Sequence, residues 1–430
     1  MSSVDRVIET LYKSESAKLL AVLTRIFGSQ NFDLAENVLQ EAFAKALVTW
    51  QVKGVPNNPS GWLIQSAKNQ AIDLIRQKKT STKFAQDLTL HLESEWSLAR
   101  TVEQAFSDNK IKDDQLRMIF ACCDLDIKAE NRIPFILKTL CGFTLEAISR
   151  AMLQPVEVIK KRLQRTRKLL QQQRFNFPEP TELNQVLDKV HTVLYLLFNE
   201  GFHSSDKQQP INIMLCKEAV GLTQLLIDEL DTFNQETLGL LALMQLQMAR
   251  VKSRVDTKGH NIPIDIQDRS LWEPELLSAG YKNIAKAVKL YQHTKIATKT
   301  AEPHFGRFYL ESLIMQEHCR AQSFMQTNWQ LIVKIYQQLI YVTNSPVAQL
   351  NQAVAIAYNG DIKAAIKQVN ALRSHKALNK SHMPLAVLAH LNAMAGEFSL
   401  ALQQAEESMQ MGGTTHEHKL LVEQIERQRK

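Results

Sequence analysis

The chain has 430 residues, 45% of them hydrophobic and 22% charged, with only 14 Gly and 12 Pro. That is enough apolar material for packed cores in two or more domains and excludes wholesale disorder; so few turn residues argue against hairpin-rich sandwiches and for an all-α protein. The formal net charge of +7 is unevenly placed: residues 1–180 hold 26 Lys+Arg against 20 Asp+Glu, and the remaining 250 residues hold 25 against 24. A basic excess confined to the first part of the chain points to a nucleic-acid partner.

No stretch approaches eighteen consecutive apolar residues, so no membrane contact is expected. The first ten residues alternate charge with apolar positions, no signal peptide is evident, and the expected compartment is the cytoplasm. Five cysteines (Cys122, Cys123, Cys141, Cys216, Cys319) form an odd set without a Cys-x-x-Cys spacing. They argue against a disulfide framework and a zinc site and read as reduced core residues.

Residues 5–80 read as helices broken near Gly28 and again at 53–60, where two prolines push their predecessors out of the helical region and Ser60 can cap the next helix. Within 31–46, Leu34, Val38, Leu39, Ala42, Phe43 and Ala46 gather on one side of a helix while Asp33, Asn37, Gln40 and Glu41 line the other. Such an acid-amide face is either a protein-docking surface or a solvated one. In 61–79, Leu63, Ala67, Ala71 and Leu74 share a packing stripe, leaving Lys68, Asn69, Arg76, Lys78 and Lys79 for phosphates or bases. Trp62 either anchors the helix start or stacks on an unpaired base.

Residues 81–112 mix Ser, Thr, Asp and Lys with weak periodicity, as a linker would. A second helical block covers 113–175. There Thr144 caps a short helix, Leu153-Gln-Pro155 turns the chain, and a second helix opens near Val156, which is helix-turn-helix spacing. Ile159, Leu163, Thr166 and Leu170 form its buried seam. Lys160, Lys161, Arg162, Gln164, Arg165, Arg167 and Lys168 are the candidates to reach phosphates and base edges, with no acidic residue anywhere in 159–178.

Prolines at 178 and 180 mark the main domain boundary. Residues 182–291 read as a helical middle domain, interrupted at 254–264 by a loop or short hairpin of no legible function. In 292–430 an internal repeat is visible: Ala353, Ala357, Gly360-Asp361 and Ala365 recur 36 residues later as Ala389, Ala393, Gly396-Glu397 and Ala401. Small residues at helix contacts followed by Gly and an acid at a turn suit stacked helical hairpins, and the pattern resembles tetratricopeptide repeats.

Taken in order, these features resemble one family, the bacterial RNA polymerase sigma factors of the extracytoplasmic-function type. Asp33-Leu-Ala-Glu-Asn-Val-Leu-Gln-Glu-Ala-Phe43 is similar to that family's core-polymerase-binding segment. Trp62-Leu-Ile-Gln-Ser-Ala-Lys-Asn-Gln-Ala-Ile-Asp-Leu-Ile-Arg76 is similar to its minus-ten-reading helix. Pro155-Val-Glu-Val-Ile-Lys-Lys-Arg-Leu-Gln-Arg-Thr-Arg167 is similar to its minus-thirty-five recognition helix, although Glu157-Val158 stands where the family usually has Gly-Thr. Val193-Leu-Tyr-Leu-Leu-Phe-Asn-Glu-Gly-Phe202, Gln267-Asp-Arg-Ser-Leu-Trp272 and the terminal repeats resemble the long C-terminal extension of one sigma subgroup.

The resemblance implies two small helical domains, sigma region 2 over 5–80 and region 4 over 113–175, followed by an extension that regulates activity. Core RNA polymerase would be bound through Asp33, Glu36, Asn37, Gln40 and Glu41, and promoter DNA through the basic sets named above. It implies no catalytic residue, metal or cofactor, and leaves room for a regulatory protein or small ligand at the C-terminal repeats. Two other readings compete. One is a helix-turn-helix regulator with a sensing repeat domain that acts without being a polymerase subunit. The other is a hydrolase built around His191, Glu200, His203 and Asp206.

Overall fold

The computed structural model describes residues 3–28, 31–78, 108–125, 127–152, 154–172, 183–204, 211–228, 234–256, 261–298, 305–413 and 415–429. Among these the regular structure is helical, with one antiparallel bridge between Val255 and Asn261. The all-α expectation holds. Most of the expected linker at 81–112 and the proline boundary at 173–182 lie outside the described residues. The chain forms two compact units, Met1–Phe233 and Asn234–Lys430.

The first unit contains α1 (Ser3–Phe27), α2 (Phe32–Lys53), α3 (Pro59–Lys78), α4 (Asp108–Asp124), α5 (Ala129–Thr139), α6 (Leu145–Ala151), α7 (Val156–Gln172), α8 (Leu183–Phe202) and α9 (Ile213–Asp228). In α1, Leu19, Val22, Leu23 and Ile26 fall three and four residues apart and bury one face, the spacing that puts side chains on one side of a helix. This helix packs on α2, whose Val38, Leu39, Ala42, Phe43 and Trp50 are buried. Gly54 ends α2 at φ 80, its N–H returning to the Trp50 carbonyl at 3.0 Å. The cap of α3 differs from expectation: Asn58 Oδ1 accepts the Gly61 N–H at 2.9 Å, and the helix opens at Pro59. Proline lacks the N–H that the first helical position would leave orphaned, so the start moves ahead of Ser60.

The helix α4 begins at Asp108, inside the span expected to be linker. It packs on α1 through Asp114, fully buried, whose two carboxylate oxygens accept from Arg25 Nη1 at 2.7 and 3.0 Å. The expected helix-turn-helix follows. Thr144 caps α6 by accepting the Ala147 N–H at 3.1 Å, and Ser149 Oγ donates to the Gln154 carbonyl at 2.6 Å across the turn. Ile159 and Thr166 turn the seam of α7 onto α5, where the Thr166 hydroxyl donates to the Asn131 carbonyl at 3.2 Å.

The helices α8 and α9 pack with the helices before them. The sequence pattern puts them in a middle domain at 182–291, yet they belong to the first unit. Val186, Leu187, Val190, Val193, Leu194 and Leu197 make a buried stripe on α8 that cannot remain in water and packs on α4. Gln115 Nε2 of α4 donates to Glu218 Oε1 at 2.8 Å, Lys18 Nζ of α1 lies 3.6 Å from Glu218 Oε2, and Lys189 Nζ donates to the Cys123 carbonyl at 3.2 Å.

The second unit contains α10 (Gln235–Ala249), α11 (Pro274–Thr298), α12 (Arg307–Arg320), α13 (Trp329–Thr343), α14 (Pro346–Tyr358), α15 (Ile362–Leu372), α16 (Met383–Met394), α17 (Phe398–Gln410) and α18 (Thr415–Arg429). The boundary expected at 291 falls inside α11. The helix α10 is buried nearly all round, as a helix apolar on every face must be, and it lies against α11 and α12. Both copies of the 36-residue repeat are structurally equivalent: Ala353, Ala357 and Ala365 are buried, and so are Ala389, Ala393 and Ala401. Gly360 and Gly396 turn the two hairpins at φ 103 and 84.

Candidate polymerase and nucleic-acid interface

Among the described residues no group of three or more His, Cys, Asp and Glu could hold a metal ion. His191 is buried on α8, burial holding its imidazole down to about 3, and Glu200 lies 4.0 Å from Arg150. Asp206 lies outside the described residues. The five cysteines are buried thiols that form no disulfide. Burial raises the thiol of Cys123 to about 12 and that of Cys319 to about 11, the opposite of a reactive thiolate. No helix of the described residues is long and apolar enough to cross a membrane.

Three helical faces remain. On α7, Lys160, Lys161, Gln164, Arg165, Arg167 and Lys168 are exposed, six of the seven candidate side chains. Lys160 is tied to Glu157 at 2.8 Å, one turn back. Arg162 and Arg167 reach other helices. Arg162 is drawn onto α5, donating to the Glu130 carbonyl at 3.1 Å with its carboxylate 3.5 Å away. Arg167 reaches α2 and donates to Glu36 Oε1 at 2.6 Å.

On α2, Asp33, Asn37, Gln40 and Glu41 are exposed, opposite the buried seam. Glu36 is not part of that open face. Its side chain is only 16% exposed, burial pushes its carboxyl up, and the Arg167 guanidinium pulls it back only in part. Sequence reasoning missed the second half of this face, where Val48 and Val52 are 66% and 82% exposed. Successive steps of three and four residues carry the stripe from Asn37 through Glu41 and Ala44 to Val48 and Val52, so an acid-amide end grades into an apolar end. The signal was present in the sequence: two valines stand on the side of the helix away from Phe43 and Trp50.

On α3, Asn69 and Arg76 are exposed and Lys68 is half-buried. Asn69 Oδ1 accepts from Gln65 Nε2 at 2.8 Å, and Arg76 lies 3.8 Å from Asp73. Lys78 ends the helix; its side chain and all of Lys79 lie outside the described residues. Trp62 is half-buried with its ring edge-on to the buried Trp50, centroids 5.4 Å apart. The anchor role is thus visible and part of the ring is still accessible.

Exposed cations project from the second helix of a helix-turn-helix, and α2 presents a face of mixed character, the arrangement expected of a nucleic-acid-binding protein. Comparison with known proteins gives the class. Residues 11–80 match sigma-70 region 2, which supports a sigma-70 family factor and implies binding to core RNA polymerase and promoter DNA. Residues 186–288 match a family of unknown function, DUF6596. The chain is 30% identical over 369 residues to an uncharacterized protein of Rhizobium meliloti (strain 1021), covering 85% of this chain and 83% of that one. It belongs to the same family as that protein. No solved structure matches the chain.

Proposed function

We propose that this chain is a sigma-70 family factor of the extracytoplasmic-function type, with α1–α3 acting as region 2, α4–α7 as region 4, and the helices beyond as a regulatory extension. The observation that carries the reading is the row of exposed cationic and amide side chains on α7, following a region 2 whose α2 offers an uncovered face. In this reading Lys160, Lys161, Gln164, Arg165 and Lys168 grip the upstream element. Lys68, Asn69 and Arg76, with the accessible part of Trp62, take the downstream one. Asp33, Asn37, Gln40 and Glu41, with Val48 and Val52, dock on core polymerase. Promoter opening draws on binding energy, an unpaired base being held by stacking worth about 1–3 kcal/mol.

The Glu36–Arg167 pair joins the polymerase-docking helix to the DNA-reading helix at 2.6 Å. The names of the two promoter elements place them about 25 base pairs apart, roughly 85 Å along B-form DNA at about 3.4 Å per pair. In this reading the pair must part before α3 and α7 engage both.

Run-off transcription from a genomic fragment pool, with purified core polymerase and this chain, tests the assignment. Defined transcripts that need both components are the expected outcome. Duplex DNA binding without polymerase, and no transcripts, would instead support a helix-turn-helix regulator.

A further inference from the structure

Glu157 stands where the sequence departs from the sigma-factor recognition helix, and the transcription reading gives it no role. It is the one acidic residue of α7 and lies in its first turn. The helix is entered from Pro155, whose carbonyl accepts the Val158 and Ile159 N–H groups at 3.0 and 3.2 Å. Ile159 and Thr166 fix its buried side. At about 100° per residue, Glu157 then faces away from that side, in one outward row with Lys161, Gln164 and Lys168 at successive steps of four, three and four. All four are exposed. The carboxylate thus belongs to the outward row itself and not to its flank. In a helix-turn-helix it is the N-terminal residues of the second helix that reach base edges.

A carboxylate at that place has a definite cost and a definite partner. Phosphates repel it, so it weakens binding to every duplex that offers it nothing in return. On the major-groove edge of DNA the hydrogen-bond donors are the amino groups of cytosine and adenine. Lys160 narrows the choice. Its Nζ donates to Glu157 Oε1 at 2.8 Å, and that bond, then the charge of Lys160, hold the Glu157 carboxyl below its usual range. An acceptor and a donor therefore stand side by side. Their spacing matches that of the N4 amino group and the O6 carbonyl, which bond to each other across a G·C pair at about 2.9 Å. An A·T pair also sets an amino group beside a carbonyl, but there the thymine methyl adjoins O4. Guanine instead adds N7 beside O6, a second acceptor for the ammonium. The helix dipole favours a carboxylate anywhere in the first turn; it does not require one in the outward row beside a lysine.

We propose that Glu157 is a specificity-determining residue: the Glu157–Lys160 pair reads one G·C base pair of the upstream element, Glu157 accepting from cytosine N4 and Lys160 donating to guanine O6 and N7. The inference rests on the assignment of α7 as the upstream-reading helix, and adds which base pair its first turn takes. Discrimination follows from the sign of the charge. A site without the amino donor leaves a carboxylate in the groove with no partner from the DNA, so wrong sequences are rejected as well as the right one held.

The test uses a promoter recovered by run-off transcription, with its upstream element randomised, and selection by holoenzyme assembled from core polymerase and the full chain. The unsubstituted chain is expected to retain one fixed G·C pair, and changing that pair to A·T to weaken holoenzyme binding about tenfold. Glu157→Gln should move the preference at that position alone to A·T, because an amide pairs with adenine N6 and N7. Gain of binding to a new sequence is a result that damage to the fold does not give. Base preferences left unchanged by Glu157→Gln would overturn the proposal and leave the transcription reading standing, as would a change confined to a position that is A·T for the unsubstituted chain. Absence of any promoter from the run-off experiment would overturn both.

Discussion

His191 shows what burial does to a single side chain. It is 1% exposed, and burial holds its imidazole down to about 3. In the unfolded chain the ring protonates near pH 6.5. As pH falls through that value the unfolded state takes up the proton first, so the contribution is complete above about 6.5 and declines toward 3 by about 1.4 kcal/mol per pH unit. His318 and His390, both held down to about 4 by burial, act in the same direction. Urea unfolding of the full chain should therefore show stability falling steadily between pH 6.5 and 4.5. His191→Leu should make that slope visibly shallower; an unchanged slope would mean that the ring is protonated in the fold. Arg162 and Arg167 show the same scale from the charged side. Sequence placed both among the DNA-facing cations, and their carboxylate partners, Glu130 and Glu36, come from elements more than thirty residues away.

At the scale of the element, helix periodicity accounts for most of the seams. The stripe of α2, the cap at Thr144 and the 36-residue repeat were all legible, because each is written in contiguous residues. For α7 the expected consequence is measurable. Lys161→Glu with Arg165→Glu should weaken promoter binding at every salt concentration and lower the slope of log affinity against log salt by about two, one for each phosphate no longer neutralised. An unchanged slope would remove this helix from the DNA interface. Two glycines separate two costs. Gly396 holds φ +84 with nothing within 4 Å of an added Cβ, so Gly396→Ala should cost about 1 kcal/mol of conformational strain. A Cβ on Gly239 would come 2.5 Å from Tyr309 Cα, backbone that cannot step aside. Gly239→Ala should push α12 off α10 and cost clearly more, about 1–3 kcal/mol or beyond. Calorimetry on both variants checks the order.

Across the whole molecule, the distribution of apolar surface sets where the units divide. The helices α8 and α9 join the first unit because α8 carries a stripe that α4 can cover, and the second unit starts at Asn234 with α10, buried nearly all round. Within the first unit Asp114 ties α4 to α1. It is fully buried, while Arg25 keeps 32% of its side chain in solvent. Asp114→Ala leaves that guanidinium partly hydrated, so the loss should fall near the low end for a broken buried pair, about 3 kcal/mol. Hydrogen exchange should show faster opening of α1 and α4 in this variant, with the α14–α17 hairpins unaffected. Uniform acceleration over the entire chain would argue that the pair does not act locally.

The sequence by itself determined the helical class, the basic first part, the helix-turn-helix and the hairpin repeat. All of these depend on residue spacing and charge within a short window, where 3.6-residue periodicity and capping chemistry act directly. Only the tertiary structure decided that Glu36 and Arg167 meet, that Arg162 is taken up by α5, and that α8 and α9 belong with α1–α7. Those outcomes depend on pairs of residues far apart in the chain. Contacts of that kind are selected by the burial of whole faces, and local pattern carries no record of which distant face will cover which.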